Sequence, residues 1–526
     1  MSLIHRFVLA LAAAAVAAGC ATAPQPTDTI DRAIAAVGGE AALKSLRAIE
    51  STGTSKHWDP DQSHVAGGES RFAGESTFIA RRDLAADAVR IEWLRKLVYP
   101  GTREYRFTEI LAGGAGWVQG VDTTARIKQS QDSNPPSHAM SRFRAAAQAR
   151  EMLRTSPTLL LQMKAQVAQL TPAADIEVAG QRLRALNYGA DGRNFLVMFD
   201  AAGLPVRIRT MDYDATQGNV AYDLVLSDWR DVGGVKIAHR QDYQFNGRTV
   251  IETRFDAIRA NPALPANAFE MPAEARAAAR TTGLTVPYQW VLRRQFIGVY
   301  LDSDSVWFDP AVSQGLRLQD IAPGVVLTQG VTHNSMAVEM RDHLVVFDAP
   351  VGPAYTAEML KLLAARFPGK PVRYVVMTHH HMDHANGARA YAAQGATLVV
   401  GAGTAEHYRR TVSADHSLGA PGNVTNPALI EVKDRHTLTD GTRRVSAFVI
   451  DNPHSAGGMI GFVEDAKVGY VTDLWSPGRD PLGDKLNAGQ AAVVAGVQKA
   501  GIAPERFAGG HGAVANFADL LARAGK

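Results

Sequence analysis

One stretch limits this chain more than any other. The run Val372-Arg373-Tyr374-Val375-Val376-Met377 is followed at once by Thr378-His379-His380-His381-Met382-Asp383-His384. A short β-branched and aromatic run reads as a buried strand, and the residues after it as the turn at the strand's end. Read as His-x-His-x-Asp-His, the turn puts four possible metal ligands within six residues. In an extended segment, side chains two apart point the same way, so His379 and His381 converge on one centre while His380 points away. The turn into the next helix redirects Asp383 and His384 toward a second centre beside the first. Imidazole and carboxylate donors suit zinc, and iron or manganese fit the same set.

The surrounding segments alternate between strand and helix. Val325-Val326-Leu327, Met336 to Met340, and His343 to Phe347 read as strands. A helix over Tyr355 to Phe367 precedes the strand Val372 to Met377, and a helix over His384 to Gln394 leads to the strand Thr397 to Val400. Such alternation predicts helices packed on sheet. Three isolated residues downstream complete the ligand inventory. His454 lies in the turn Asp451-Asn452-Pro453-His454-Ser455-Ala456-Gly457-Gly458, Asp473 ends the strand Val468 to Thr472, and His511 sits in Gly509-Gly510-His511-Gly512, where glycines permit close backbone approach. With these residues in this order, the chain from about Leu318 to its end resembles the metallo-β-lactamase-fold hydrolases.

The resemblance implies an αββα sandwich, an α+β fold, with the site at one edge of two sheets. His379, His381 and His454 would hold one metal, and Asp383, His384 and His511 the second. Asp473 would bridge the two. Asp348, closing the strand before Ala349-Pro350, matches the family's early structural aspartate and would orient the ligand loop by hydrogen bonds. Two zinc ions acidify a shared water, giving hydroxide near neutral pH to attack a carbonyl or phosphorus. Asp383 would both ligate and orient that nucleophile, so it is the catalytic candidate. The one cysteine, Cys20, excludes the lactamase subclass with a Cys ligand. A bridging Asp473 favours the glyoxalase-II, lactonase and phosphodiesterase branches over the cysteine-free lactamases. Iron-dependent sulfur dioxygenases share parts of this fold, which keeps an oxidoreductase in view.

Cys20 is engaged elsewhere. Arg6 and the apolar run Phe7 to Ala18 end in Ala17-Ala18-Gly19-Cys20, too short to span a bilayer and similar to a bacterial lipoprotein signal, with Ala17 where that family more often has Leu. Residues 1–19 are thus expected to be a signal peptide and 20–27 a tether. The mature chain is expected in the periplasm, anchored to the membrane through lipid on Cys20. Formal charge of +3 among 526 residues gives no electrostatic footprint for nucleic acid.

Residues 28–272 read as a mainly antiparallel β domain. A helix over Thr29 to Leu46, interrupted at Gly38-Gly39, opens it, and a helical insertion spans 139–170. Turn signals such as Asp191-Gly192, Gly233-Gly234 and Asn246-Gly247 separate strand-like runs and predict hairpins. Its second half, Asp200 to Pro272, loosely resembles the half-barrel carriers of outer-membrane lipoprotein sorting. Residues 273–317 read as a linker and 318–526 as the metal-binding domain. Other polar residues lack ligand spacing: His333, His343, His407, His416 and His436 are expected at the surface or behind the ligands, Asn334 and Ser335 on a loop where substrate would face, and Arg293-Arg294 and Arg443-Arg444 on solvated faces.

The whole describes an exported dinuclear hydrolase, zinc-dependent by preference, acting on a small ester, lactone, amide or phosphoester. The alternatives are a periplasmic lipid- or lipoprotein-binding protein with a structural metal domain, and a cysteine-free β-lactamase. Substrate and oligomeric state are not encoded in any motif.

Overall fold

A computed structural model describes residues 25–99, 101–122, 136–190, 193–277, 315–330, 332–419, 424–479 and 482–524. The signal sequence, Cys20, Arg293-Arg294 and most of the expected linker lie outside them.

The N-terminal part is one antiparallel sheet of 13 strands. Its first long strand, Ala48–Asp59, pairs with Arg71–Asp83 on one side and with the last, Arg248–Ala260, on the other. The sheet is therefore two meanders, Ala48–Ala139 and Leu170–Ala260, joined where chain beginning and chain end of the domain meet. Period-two burial is plain in the strand Ala48–Asp59, where Ser51, Gly53, Ser55, His57 and Asp59 are buried. Asn246 and Gly247 have φ of 47° and 80°, the positive values a two-residue hairpin needs between Val235–Phe245 and Arg248–Ala260. The opening helix is split into Pro26–Ala36 and Glu40–Ser45 because Gly38 and Gly39 take φ of 122° and 93°. The helical insertion likewise divides, into Arg142–Arg154 and Leu159–Ala165.

The C-terminal part is a four-layer sandwich. A mixed sheet of seven strands runs Arg317–Ala322, Val325–Gln329, Met336–Glu339, Leu344–Phe347, Val372–Val376, Thr397–Gly401 and Leu429–Val432. A six-stranded sheet, Arg435–Thr439 through Val514–Asn516, faces it. Alternation sorts the strands' side chains between two cores: Val345 and Phe347 pack against Val445, Ala447 and Tyr470 between the sheets, while Leu344 and Val346 pack under the helix Pro353–Arg366. Helices Ala488–Ala500 and Phe517–Ala524 cover the other sheet. The expected single helix over His384 to Gln394 is two short ones, Met382–Ala385 and Ala388–Ala393, separated at Asn386-Gly387. A Cβ on Gly387 would lie 2.1 Å from Thr356 Oγ1, so the chain bends there to seat against the helix below.

The two parts share an interface. Met382 is buried within the apolar cluster of the N-terminal domain that includes Tyr222, Tyr243 and Phe245. The loop between strands Ala48–Asp59 and Arg71–Asp83 reaches across, where His64 O accepts from Ala456 N at 2.7 Å. The turn Asp214 to Asn219 makes a second contact, with Asn219 N donating to Asp415 O at 2.6 Å.

Candidate metal centre

The centre lies where the strand Val372–Val376 ends. Asp348, fully buried and at φ 59°, accepts from Thr378 N at 2.7 Å and from Thr378 Oγ1 at 2.9 Å. Asp tolerates this left-handed backbone better than most residues. These bonds fix the first residue of the histidine-rich turn. His454 is placed by Asn452, whose Oδ1 accepts from the backbone N–H groups of both His454 and Ser455 at 2.9 Å. Asp473 leaves its strand at φ 60°. His511 arrives on a glycine turn packed so closely that a Cβ on Gly510 would lie 2.4 Å from Thr472 Oγ1.

These loops gather the seven predicted ligand residues into two adjoining groups. In one, His454 Nε2 lies 3.2 Å from His379 Nε2 and 3.0 Å from Asp473 Oδ2, and His379 Nε2 lies 3.2 Å from Asp473 Oδ2. His381 belongs to the same group. In the other, His511 Nε2 lies 3.3 Å from His384 Nε2 and 2.8 Å from Asp473 Oδ1. Asp383 Oδ2 is 3.9 Å from His384 Nε2. Asp473 thus reaches both groups, Oδ1 meeting His511 while Oδ2 meets His379 and His454 and also lies 3.3 Å from His384 Nε2.

The spacing itself tests whether a metal fits. Ligand atoms about 2.0–2.1 Å from a tetrahedral centre are separated by about 3.3 Å, and these nitrogens and oxygens lie around that value, from 2.8 Å (His511–Asp473) to 3.9 Å (His384–Asp383). The opposite ring atoms are committed to oxygen. His384 Nδ1 faces Asp348 Oδ2 at 3.4 Å, His379 Nδ1 faces Thr378 Oγ1 at 3.2 Å, and His511 Nδ1 faces Thr332 O at 3.1 Å. Each such bond selects the tautomer whose other nitrogen presents a lone pair to the group. In His381 the roles are reversed: Nε2 donates to Ser63 O at 2.9 Å, and the buried Nδ1 has no hydrogen-bond partner. A buried unpartnered nitrogen on a member of this ligand group is a position that a bound metal would satisfy.

Charge agrees. Burial, and after it the His379 and His454 rings, holds His381 well below the usual imidazole range, in its ligating neutral form. Burial works against the charged form of Asp473 too, yet His384, His454 and His511 keep its carboxyl well below the usual carboxylate range. His384 goes the other way: burial disfavours its cation, but Asp473 and then Asp348 raise it well above the usual value. The carboxylates of this group call for positive charge, which a divalent ion supplies.

Residues 328–525 match the family model of the metallo-beta-lactamase superfamily. Among solved structures, a metallo-beta-lactamase from Pontibacter korlensis is similar at 19% identity and a TM-score of 0.31, over 39% of this chain and 95% of that one. The flavodiiron protein from Giardia intestinalis is similar at 16% identity and a TM-score of 0.30, over 39% of this chain and 58% of that one. A stereoselective inverting sec-alkylsulfatase from Pseudomonas sp. shows 18% identity and a TM-score of 0.30, over 40% of each chain. No curated protein matches the chain.

Within the metallo-β-lactamase domain, several side chains differ from expectation. His333 is buried in the second group, with Nε2 3.4 Å from Asp383 Oδ2 and its ring 4.3 Å from that of His511. Burial first, then His511, pushes it down to about 3. Asn334 does not face substrate space; its amide braces the His511 turn by donating to Gly509 O and Gly512 O at 2.9 and 3.0 Å. Ser335 Oγ donates to Asp348 O. His343, His407 and His416 are buried, and Arg443 is mostly buried, donating to Pro323 O and Glu339 O. The loop before Asn334 gives no periodic signal, so only long-range folding reveals His333.

Residues outside the metallo-β-lactamase domain also enter the site. Gln62 Nε2 donates to Asp383 Oδ1 at 2.7 Å, Tyr99 OH donates to Gln62 Oε1, and Arg71 donates to His454 O at 3.1 Å. His380, which belongs to neither group, donates through Nε2 to the same Ser63 O at 2.9 Å.

Proposed function

We propose that the protein is an exported dinuclear metal-dependent hydrolase, zinc-loaded by preference, for a small ester, lactone, amide or phosphoester. The observation that carries this reading is the shared carboxylate: Asp473 joins two ligand groups whose internal spacings suit one cation each. His379, His381 and His454 would hold one ion, Asp383, His384 and His511 the other. When bound, such a pair supplies Lewis acidity and a water acidified toward neutral pH. The chain's own part is to orient. Asp383 keeps its carboxyl ionised, since His333 and His384 outweigh the burial that would protonate it. Its Oδ2 can therefore accept a hydrogen bond from a nucleophilic water and orient it. The chain has no cysteine outside Cys20, so no thiol nucleophile competes for that role.

Export and lipid anchoring at Cys20 rest on the N-terminal pattern alone. A second reading, lipid carriage by the β domain, is favoured by an apolar cavity of about 230 Å³ between its sheet and the helix Arg142–Arg154. Phe78, Ile91, Trp93 and Phe255 line it, together with the buried His57 and Arg95.

The test uses chain purified without residues 1–19, its metal content measured, and panels of thioester, lactone, phosphodiester and β-lactam substrates. About two ions per chain are expected, with turnover abolished in Asp383→Asn while the fold is kept. Undiminished hydrolysis by metal-free protein rejects the hydrolase reading. Co-purifying lipid whose removal destabilises the β domain, without turnover on any panel, supports the carrier.

A further inference from the structure

The loop that links the first two long strands of the β domain does more than touch the metallo-β-lactamase domain. Pro60–Gln62 forms a single 3-10 turn, capped where Asp59 Oδ1 accepts from Asp61 N at 3.1 Å. Gln62, its last residue, and Ser63, which follows, are almost fully buried at 4% and 2% exposure. Burying an amide and a carbonyl costs free energy unless each finds partners, and here the partners are ligand residues of the other domain.

The direction of each bond follows from the donors available. An ionised Asp383 only accepts, so Gln62 must present its NH2 to Oδ1 and its carbonyl oxygen to Tyr99. Burial and the nearby Asp383 and Asp473 charges push the Tyr99 phenol far above its usual range, so it keeps its proton and donates. Arg71 sits over the Tyr99 ring at 4.6 Å and holds it in place. The chain Tyr99–Gln62–Asp383 thus has one polarity. It occupies Oδ1 and leaves Oδ2 turned toward His333 and His384. Ser63 O meanwhile accepts from His381 Nε2, which leaves Nδ1 for the other group. Met382, between these two ligand residues, is anchored in the β-domain core.

We propose that the β domain completes the metal centre, with Gln62, steered by Tyr99, as the positioning residue for Asp383, and the Ser63 carbonyl as the group that fixes His381. This rests on the two-metal reading but adds a component from outside the matched domain. Outer hydrogen-bond partners of ligands are worth about 10–100-fold in metal affinity. Gln62→Leu keeps side-chain bulk and removes the amide; Tyr99→Phe keeps the ring and removes the donor.

The experiment titrates metal-depleted full chain with Co(II), following the visible absorption of each binding step and competition with a chelator. The step lost in Asp383→Asn identifies the Asp383 site. Gln62→Leu is expected to weaken that step by about 10–100-fold, leaving the other step and the metal-free melting temperature in place. Tyr99→Phe is expected to weaken the same step less, and the double variant no more than Gln62→Leu alone, because Tyr99 acts through Gln62. Arg248→Ala, which removes only the docking bonds to Gly67 O and Gly68 O on the same loop, should leave the step unchanged. If Gln62→Leu fails to fold, Tyr99→Phe carries the test. Unchanged Co(II) affinity in the folded amide or phenol variant overturns the proposal, as does an equal loss in Arg248→Ala. A wild-type chain that binds no Co(II) overturns it and the hydrolase reading together, whereas two intact steps with unaltered variants overturn it alone.

Discussion

Replacing Asp348 by asparagine should expose how much of the centre depends on a residue that binds nothing itself. Asp348 is fully buried, and its carboxylate accepts from Thr378 N at 2.7 Å, Thr378 Oγ1 at 2.9 Å and Tyr470 OH at 3.4 Å, with His384 Nδ1 also at 3.4 Å. The amide in Asp348→Asn offers one oxygen and one NH2 at the same volume. If the NH2 takes the Oδ1 place it opposes the Thr378 N–H, a donor that cannot reverse. If it takes the Oδ2 place it opposes His384 Nδ1–H, and the two hydroxyls must turn. Either way one buried donor loses its acceptor, at about 1–3 kcal/mol, and the remaining bonds lose their ionic partner. The expected loss of unfolding free energy is roughly 2–4 kcal/mol on that basis. His384 also loses the bond that fixes its tautomer, so the second group should bind metal about 10–100-fold more weakly. Urea unfolding of metal-free protein reads the first quantity, and chelator competition the second. A variant within about 0.5 kcal/mol of wild type, the spread of neutral surface changes, with unchanged metal affinity would refute the reasoning.

The β domain and its interface supply two further predictions. Arg144, fully buried, joins the buried carboxylates Glu109 and Asp122, so Arg144→Met should cost about 3–5 kcal/mol by removing the cation that both carboxylates contact; denaturant unfolding checks this, and metal affinity should hold. His407, buried against the inter-domain loop, is held down to about 4 from 6.5, chiefly by burial. The unfolded chain therefore binds this proton first as pH falls, and stability is lost between pH 6.5 and 4 by about 3 kcal/mol. His407→Leu should flatten the unfolding free energy over that window by a similar amount, and an unaltered pH slope would count against it.

Legibility in the sequence followed the range of the interactions concerned. The strand Val372–Val376 and the ligand turn after it were readable because period-two geometry acts within a few residues. The hairpin at Asn246-Gly247 was readable because positive φ is a local demand. The split of the opening helix was half readable: the glycine pair was visible, but the turn it makes was not. His333 was not readable, since its approach to Asp383 depends on how the loop before Asn334 is braced to the His511 turn. The site role of Gln62 and Ser63 had no signature at all, because a neutral amide and a main-chain carbonyl follow no ligand spacing.

Met382 shows why this matters for reading motifs in chains of more than one domain. In His-x-His-x-Asp-His the intervening positions count as spacers, yet here both are buried and both face the neighbouring domain. His380 donates to Ser63 O, and Met382 belongs to the apolar cluster of the N-terminal domain that includes Tyr222 and Tyr243. A spacer whose side chain must be accommodated by a partner surface fixes the turn's orientation as firmly as the ligands do. Ligand convergence set by the strand end and docking set by the spacers are then two constraints on the same six residues. Displacing the β-domain loop would tilt His381 and Asp383 together, because the residue between them moves with that domain.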